Sequence, residues 1–89
     1  MIGRKAKPTE AHLERALTVT RRVMLEQGLQ GKPSLDDSLD EDGLGLSSMG
    51  RLELLTAMEE EFKTSIPEAY WGTKRIANLR ELAAIVSRR

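Results

Sequence analysis

The 89-residue sequence predicts an all-α fold, a bundle of three main helices plus one short helix, with a long loop between the first two. Three observations carry that prediction. Apolar residues recur at helical spacing in three separate stretches. Helix start and stop signals bracket each stretch. No segment shows the apolar–polar alternation of a strand, and no internal repeat or second domain is visible. The length suits one small domain, with residues 1–8 as a flexible basic arm and 9–89 as a single folded unit.

The first helix is expected over about 9–27. Thr9 is its candidate N-cap, and Glu10 in the first turn complements the helix dipole. Leu13, Ala16, Leu17, Thr20, Val23 and Met24 share one face, and Gly28 is the natural stop. Residues 28–46 then form a connection rich in Gly, Pro, Ser and Asp. A connection this long in a compact domain tends to be functional. Leu29, Leu35, Leu39, Leu44 and Leu46 should peg it to the helices, since leaving a leucine exposed forfeits about 1.5–3 kcal/mol.

The second helix should begin at Ser47 or Ser48 and run to about Lys63, with Leu54, Leu55, Met58 and Phe62 as its core stripe. Arg51 falls on that stripe and must turn its charge toward water. Met49, Leu52 and Thr56 form a ridge on another side, flanked by Glu53 and Glu60. Either Met49 and Leu52 pack beneath the long loop, or the ridge docks a protein partner, for which an apolar strip with acidic edges is suited. A short third helix is expected from Ser65-Ile66-Pro67-Glu68, with Pro67 at its first position and Gly72 ending it. Asn78 followed three residues later by Glu81 is a capping-box pattern, and Leu79, Leu82, Ala83, Ile85 and Val86 give the last helix its apolar face.

Composition excludes several chemistries. The chain has no cysteine and therefore no disulfide, thiolate zinc site or cysteine nucleophile. Its single histidine, His12, is expected on the surface of the first helix. No base lies near Ser48 in sequence to make it a nucleophile, so an enzyme with its own active site is not expected. The acids Asp36, Asp37, Asp40, Glu41 and Asp42 lack the spacing of a calcium loop, and no metal site is expected. No apolar run is long enough to span a membrane. Arg4, Lys5 and Lys7 precede Pro8 and polar residues rather than the apolar core of a secretory signal, which makes a cytoplasmic protein the expectation; a monomer is expected as well.

The net charge of zero conceals a division. Residues 1–32 and 72–89 each carry a net +4, while residues 33–71 carry −8. That acidic middle disfavours nucleic acid and favours basic protein partners. It contains Ser47-Ser48 at a helix start, where free amides and the dipole favour a phosphate group. Either serine could also serve only as an N-cap.

The organisation resembles that of the acyl carrier proteins and the related peptidyl carrier proteins. The resemblance runs from about Leu13 to Val86. It is densest from Gly43-Leu44-Gly45-Leu46-Ser47-Ser48-Met49 through Leu52-Glu53-Leu54 and Met58-Glu59-Glu60-Glu61-Phe62 to Ile66-Pro67. It implies that Ser48, in the place of the family's modified serine, is esterified to 4′-phosphopantetheine taken from coenzyme A. It further implies a non-catalytic carrier of acyl or aminoacyl thioesters, serving a phosphopantetheinyl transferase, an acyl- or aminoacyl-loading enzyme and downstream synthase enzymes. Ser47, Met49, Leu52, Glu53, Thr56 and Glu60 would form its docking surface. Two departures stand out. Ser47 replaces the usual aspartate, and the acidic position two residues after Ser48 is Gly50, with Arg51 adding a positive charge, which suggests a specialised discrete carrier of a polyketide, nonribosomal-peptide or modified-lipid pathway. An unmodified acidic adaptor with the same fold is the alternative.

Overall fold

The computed structural model describes residues 8–71 and 76–87. Helix α1 spans Glu10–Glu26, α2 spans Ser48–Phe62 and α3 spans Leu79–Ser87, with a single 3-10 turn at Glu68–Tyr70. There is no strand among the described residues. The expected all-α bundle is therefore the observed architecture. Residues 1–7 of the expected arm, and Gly72 as the end of the short helix, lie outside the described residues.

Helix α1 begins as its sequence directs, with one addition. The Thr9 hydroxyl accepts from the His12 backbone N–H at 3.1 Å, and the Thr9 N–H donates to His12 Nδ1 at 3.3 Å. The two residues thus cap each other, and His12 takes the reciprocal place that Glu or Gln fills in the usual capping box. At the other end Gly28 adopts a left-handed φ of +82°. This conformation lets Gly28 N–H reach Leu25 O at 3.0 Å and Leu29 N–H reach Met24 O at 2.8 Å, a Schellman closure.

The long connection is pegged by its leucines. Leu39, Leu44 and Leu46 are buried, and Leu29 and Leu35 pack partly buried against the core. Its backbone folds on itself through Leu44 N–H to Ser38 O at 2.8 Å and Gly45 N–H to Asp40 O at 2.9 Å. A Cβ at Gly43 would stand 2.3 Å from the Ser38 carbonyl oxygen, so only glycine fits there. The loop also caps α3, whose first two amides, Leu79 and Arg80, donate to Asp37 O and Leu35 O at 3.0 and 2.8 Å. Asn78 Oδ1 receives the Glu81 N–H at 2.9 Å as the capping pattern requires, but the Glu81 carboxylate reaches one residue further back, to the Ala77 N–H at 2.9 Å.

Helices α1 and α2 run antiparallel, as their end contacts show. Arg15 near the start of α1 bonds the Glu61 carboxylate and the Glu61 carbonyl near the end of α2, at 3.3 and 2.7 Å. Gln27, just beyond α1, donates to Glu53 in the second turn of α2. The core joins Ala16, Val19, Val23 and Met24 of α1 to Leu54, Leu55, Met58 and Phe62 of α2 and to Leu79, Leu82, Ala83 and Val86 of α3. Leu17 and Ile85, expected on core faces, are only partly buried. Thr20, fully buried, returns its hydroxyl proton to Ala16 O at 2.7 Å, which removes the cost of an unpaired polar group. Phe62 lies at the rim of the core, with the Arg15 guanidinium 4.5 Å from its ring centroid and the His12 ring 6.0 Å away.

The short third element differs from its expectation. It is one 3-10 turn, and Pro67 precedes it at the N-cap (φ −54°, ψ 141°) rather than occupying its first helical position. Two longer-range bonds account for its brevity. The Ile66 N–H donates to Glu59 Oε2 at 2.6 Å, and the Trp71 indole N–H donates to Ile66 O at 2.9 Å, which folds residues 66–71 into a tight loop against α2.

Candidate functional site

Two adjacent serines open α2, and their surroundings separate them. Ser47 is the N-cap, in extended backbone at φ −73° and ψ 176°. Its hydroxyl accepts from the Gly50 N–H at 3.1 Å, and its carbonyl accepts from the Arg51 N–H at 2.8 Å. Ser48 is the first helical residue, and it is exposed. Its hydroxyl forms no hydrogen bond with the described residues. One serine is thus occupied in holding the helix start together, while the other presents a free hydroxyl to solvent beside it.

The rest of the first turn suits an anion attached at Ser48. No acidic residue occupies it. The Gly50 and Arg51 amides are taken by Ser47, which leaves the amides of Ser48 and Met49 as the unbonded donors of the helix end. Arg51 lies one turn behind Ser48 on the same side of the helix. The sequence predicts that Arg51 extends its charge toward water. Instead the side chain is half-buried and one guanidinium N–H donates to the Trp71 carbonyl at 2.7 Å, tying the mouth of α2 to the 3-10 segment.

Gly50 gives the chain's departure from the acidic pattern a physical reason. It is buried, and a Cβ there would lie 3.2 Å from Leu46 Cδ2 and 3.4 Å from Gln27 Oε1. Position 50 therefore contributes close packing of α2 on the leucine-pegged loop, not charge on an exposed face.

The ridge beside Ser48 is open. Met49 is 67% and Leu52 40% exposed, so the long loop does not cover them, and Thr56 and Glu60 are exposed as well. Together with Glu53 they line one side of a groove of about 490 Å³. The other side is α1, through Arg22, Val23 and Glu26. Sequence reasoning missed this second wall. The signal available was helical phase, since Arg22 and Glu26 stand one turn apart at the edge of the α1 core face. The Glu53 carboxylate accepts from the neutral Gln27 amide, which holds it in place without cancelling its charge.

A family model described as the phosphopantetheine attachment site matches residues 18–86. The chain belongs to that family, the acyl and peptidyl carrier proteins. No curated protein and no solved structure shows a match to it. As a carrier domain it is a site of covalent 4′-phosphopantetheine attachment, and the family's domains work with modifying and synthase enzymes and are generally non-catalytic. The exposed, unbonded hydroxyl, the vacant amides and the acid-free first turn of α2 fit that group. No cluster of metal-ligating side chains occurs among the described residues, and no described helix is long and apolar enough to cross a membrane.

Proposed function

We propose that Ser48 carries the 4′-phosphopantetheine and that the protein is a discrete carrier. It would hold an acyl or aminoacyl group for a polyketide, nonribosomal-peptide or specialised-lipid pathway without catalysing a step itself. The observation that carries this reading is the division of labour between the two serines. The Ser47 hydroxyl is spent on the Gly50 amide, and the Ser48 hydroxyl is spent on none of the described residues.

In the loading step the Ser48 oxygen forms the new bond to phosphorus, and the phosphoanhydride bond of coenzyme A breaks, releasing adenosine bisphosphate. The hydroxyl proton leaves to a base of the transferase, because no described side chain is hydrogen-bonded to Ser48 to take it. The unbonded amides of Ser48 and Met49, at the positive end of the α2 dipole, would favour the negative charge of the attached phosphodiester. When attached, the arm supplies the thiol that a cysteine-free chain lacks and a long tether that raises the local concentration of cargo at each partner.

The docking surface in this reading is the groove between the Met49–Leu52–Thr56 ridge and α1, with Glu53 and Glu60 at its edges and Ser47 at its head. Its apolar strip and acidic edges suit a basic partner enzyme. Both acids keep their charge for steering association, and the Gln27 amide holds Glu53 in place.

Intact mass after incubation with coenzyme A, magnesium and a broad-specificity transferase tests the assignment. The wild type should gain one phosphopantetheine. If the wild type gains none with every transferase tried, the weight moves to an unmodified adaptor built on the same fold.

A further inference from the structure

We propose that the outward face of α1 is a second docking surface, which takes an acidic, leucine-bearing segment of a partner protein. The proposal does not rest on the assignment of Ser48. Leu25 is 60% exposed, the largest apolar exposure after Met49 among the described residues. By helical phase it stands opposite the buried Ala16 and Val23, between Arg21 and Thr18. A lone exposed leucine needs no account. This one stands one helical turn beyond Arg21, which with Leu17, Thr18, Lys32 and Pro33 lines a hollow of about 310 Å³.

The hollow joins α1 to the loop that follows it, and its charge is opposite to that of the α2 groove. Arg21 and Lys32 both line it, and neither forms an ion pair or hydrogen bond with the described residues. Leu17, expected in the core, is instead half-buried and lines the hollow. An apolar centre rimmed by unpaired cations is the composition of a protein interface, and its complement is an acidic segment with an apolar anchor. Electrostatic binding to an anionic membrane calls on a cluster of some 4–8 basic residues. Only two cations line this hollow, and Glu14 lies on the same outward face of α1. One carrier could then hold a basic partner on the α2 groove and an acidic one on α1 at the same time.

The test titrates ¹⁵N-labelled full-length protein, without its prosthetic group, with a short acetylated peptide bearing two leucines one helical turn apart among glutamates. Amide shifts should concentrate at Leu17, Thr18, Arg21, Leu25 and Lys32 and weaken with added salt. The double variant Arg21→Glu/Lys32→Glu should bind about tenfold or more weakly, as should Leu25→Asp, with helical circular dichroism unchanged. The matching peptide with lysines for glutamates should shift Met49 and Leu52 instead. Several results would overturn the proposal: no saturable shift, acidic-peptide shifts centred on α2, or binding insensitive to both substitutions. So would sedimentation with phosphatidylglycerol vesicles that depends on Arg21 and Lys32 while the peptide fails to bind, which would make the face a lipid contact.

Discussion

Helices α1 and α2 both start on a hydroxyl N-cap, yet the two starts are built to different ends. At α1, Thr9 and His12 satisfy each other reciprocally, and Glu10 adds a negative charge to the first turn. Side chains answer donors at both ends of that turn, and the next residues carry on as ordinary packing. At α2, Ser47 makes one side-chain bond, no acid follows, and Ser48 and Met49 keep exposed side chains and unbonded amides. A helix start that only had to be stable would resemble the first. The second leaves favourable electrostatics unused in the free protein, which is what a site reserved for an added phosphate group requires.

The largest expected effect breaks the comparison at its centre. Ser48→Ala should abolish phosphopantetheinylation completely in the intact-mass assay while leaving the thermal midpoint within experimental scatter, because its hydroxyl bonds none of the described residues. Modification that persists in Ser48→Ala would return the assignment to Ser47 and remove the functional meaning of the contrast.

Next comes Gly50, the residue that lets α2 close onto the loop. Gly50→Asp restores the acid that the family resemblance leads one to expect there, but its Cβ would press on Leu46, which is 1% exposed and has no room to move aside. A loss of about 1–3 kcal/mol in urea unfolding is expected, the usual cost of overpacking. A neutral or stabilising result would show that the α2 start is looser than its packing indicates.

How much of this contrast was legible beforehand depends on the range of the interaction involved. Thr9, Gly28, Ser47 and Asn78 were readable as caps or stops because capping is settled within a few residues. The five loop leucines were readable as pegs because solvent exposure of that much apolar surface is costly wherever the loop lies. The family resemblance carried by Gly43 through Phe62 located the α2 start itself. His12 escaped because its bond is to a backbone amide by an unusual capping residue. Gln27 to Glu53 escaped because its proximity exists only after α1 and α2 pack, and Arg51 to Trp71 and Ile66 to Glu59 because each depends on how the loop after α2 folds back on it. The same reason hid the α1 wall of the docking groove and the one-residue displacement of Pro67.

A smaller effect should come from the α1 start. Thr9→Ala removes the acceptor of the His12 amide and half of a reciprocal pair, at a cost of about 0.5–2 kcal/mol in thermal or urea unfolding. His12→Ala, which removes the other half, should cost less, since the Thr9 amide it serves lies at the exposed end of the chain's first helix and can turn to water. Neither should alter loading at Ser48, because α1 begins at the opposite end of the antiparallel pair from α2.

A modest stability change at Ser47 sharpens the comparison most. Ser47→Ala deletes one 3.1 Å bond, to the Gly50 amide, and should cost no more than about 1 kcal/mol, less than Thr9→Ala. It should nonetheless slow loading at Ser48 without preventing it. With the cap gone, the Gly50 amide joins those of Ser48 and Met49 as an unbonded donor, and the first turn frays more readily, so the hydroxyl next to it is held less firmly for the transferase. Time-resolved intact mass separates the two consequences. A slower approach to full occupancy, with the same endpoint as the wild type, is the expected result. An unchanged rate would mean that the transferase reads Ser48 without regard to how rigidly α2 begins, and Ser47 would then be a cap like Thr9 and nothing more.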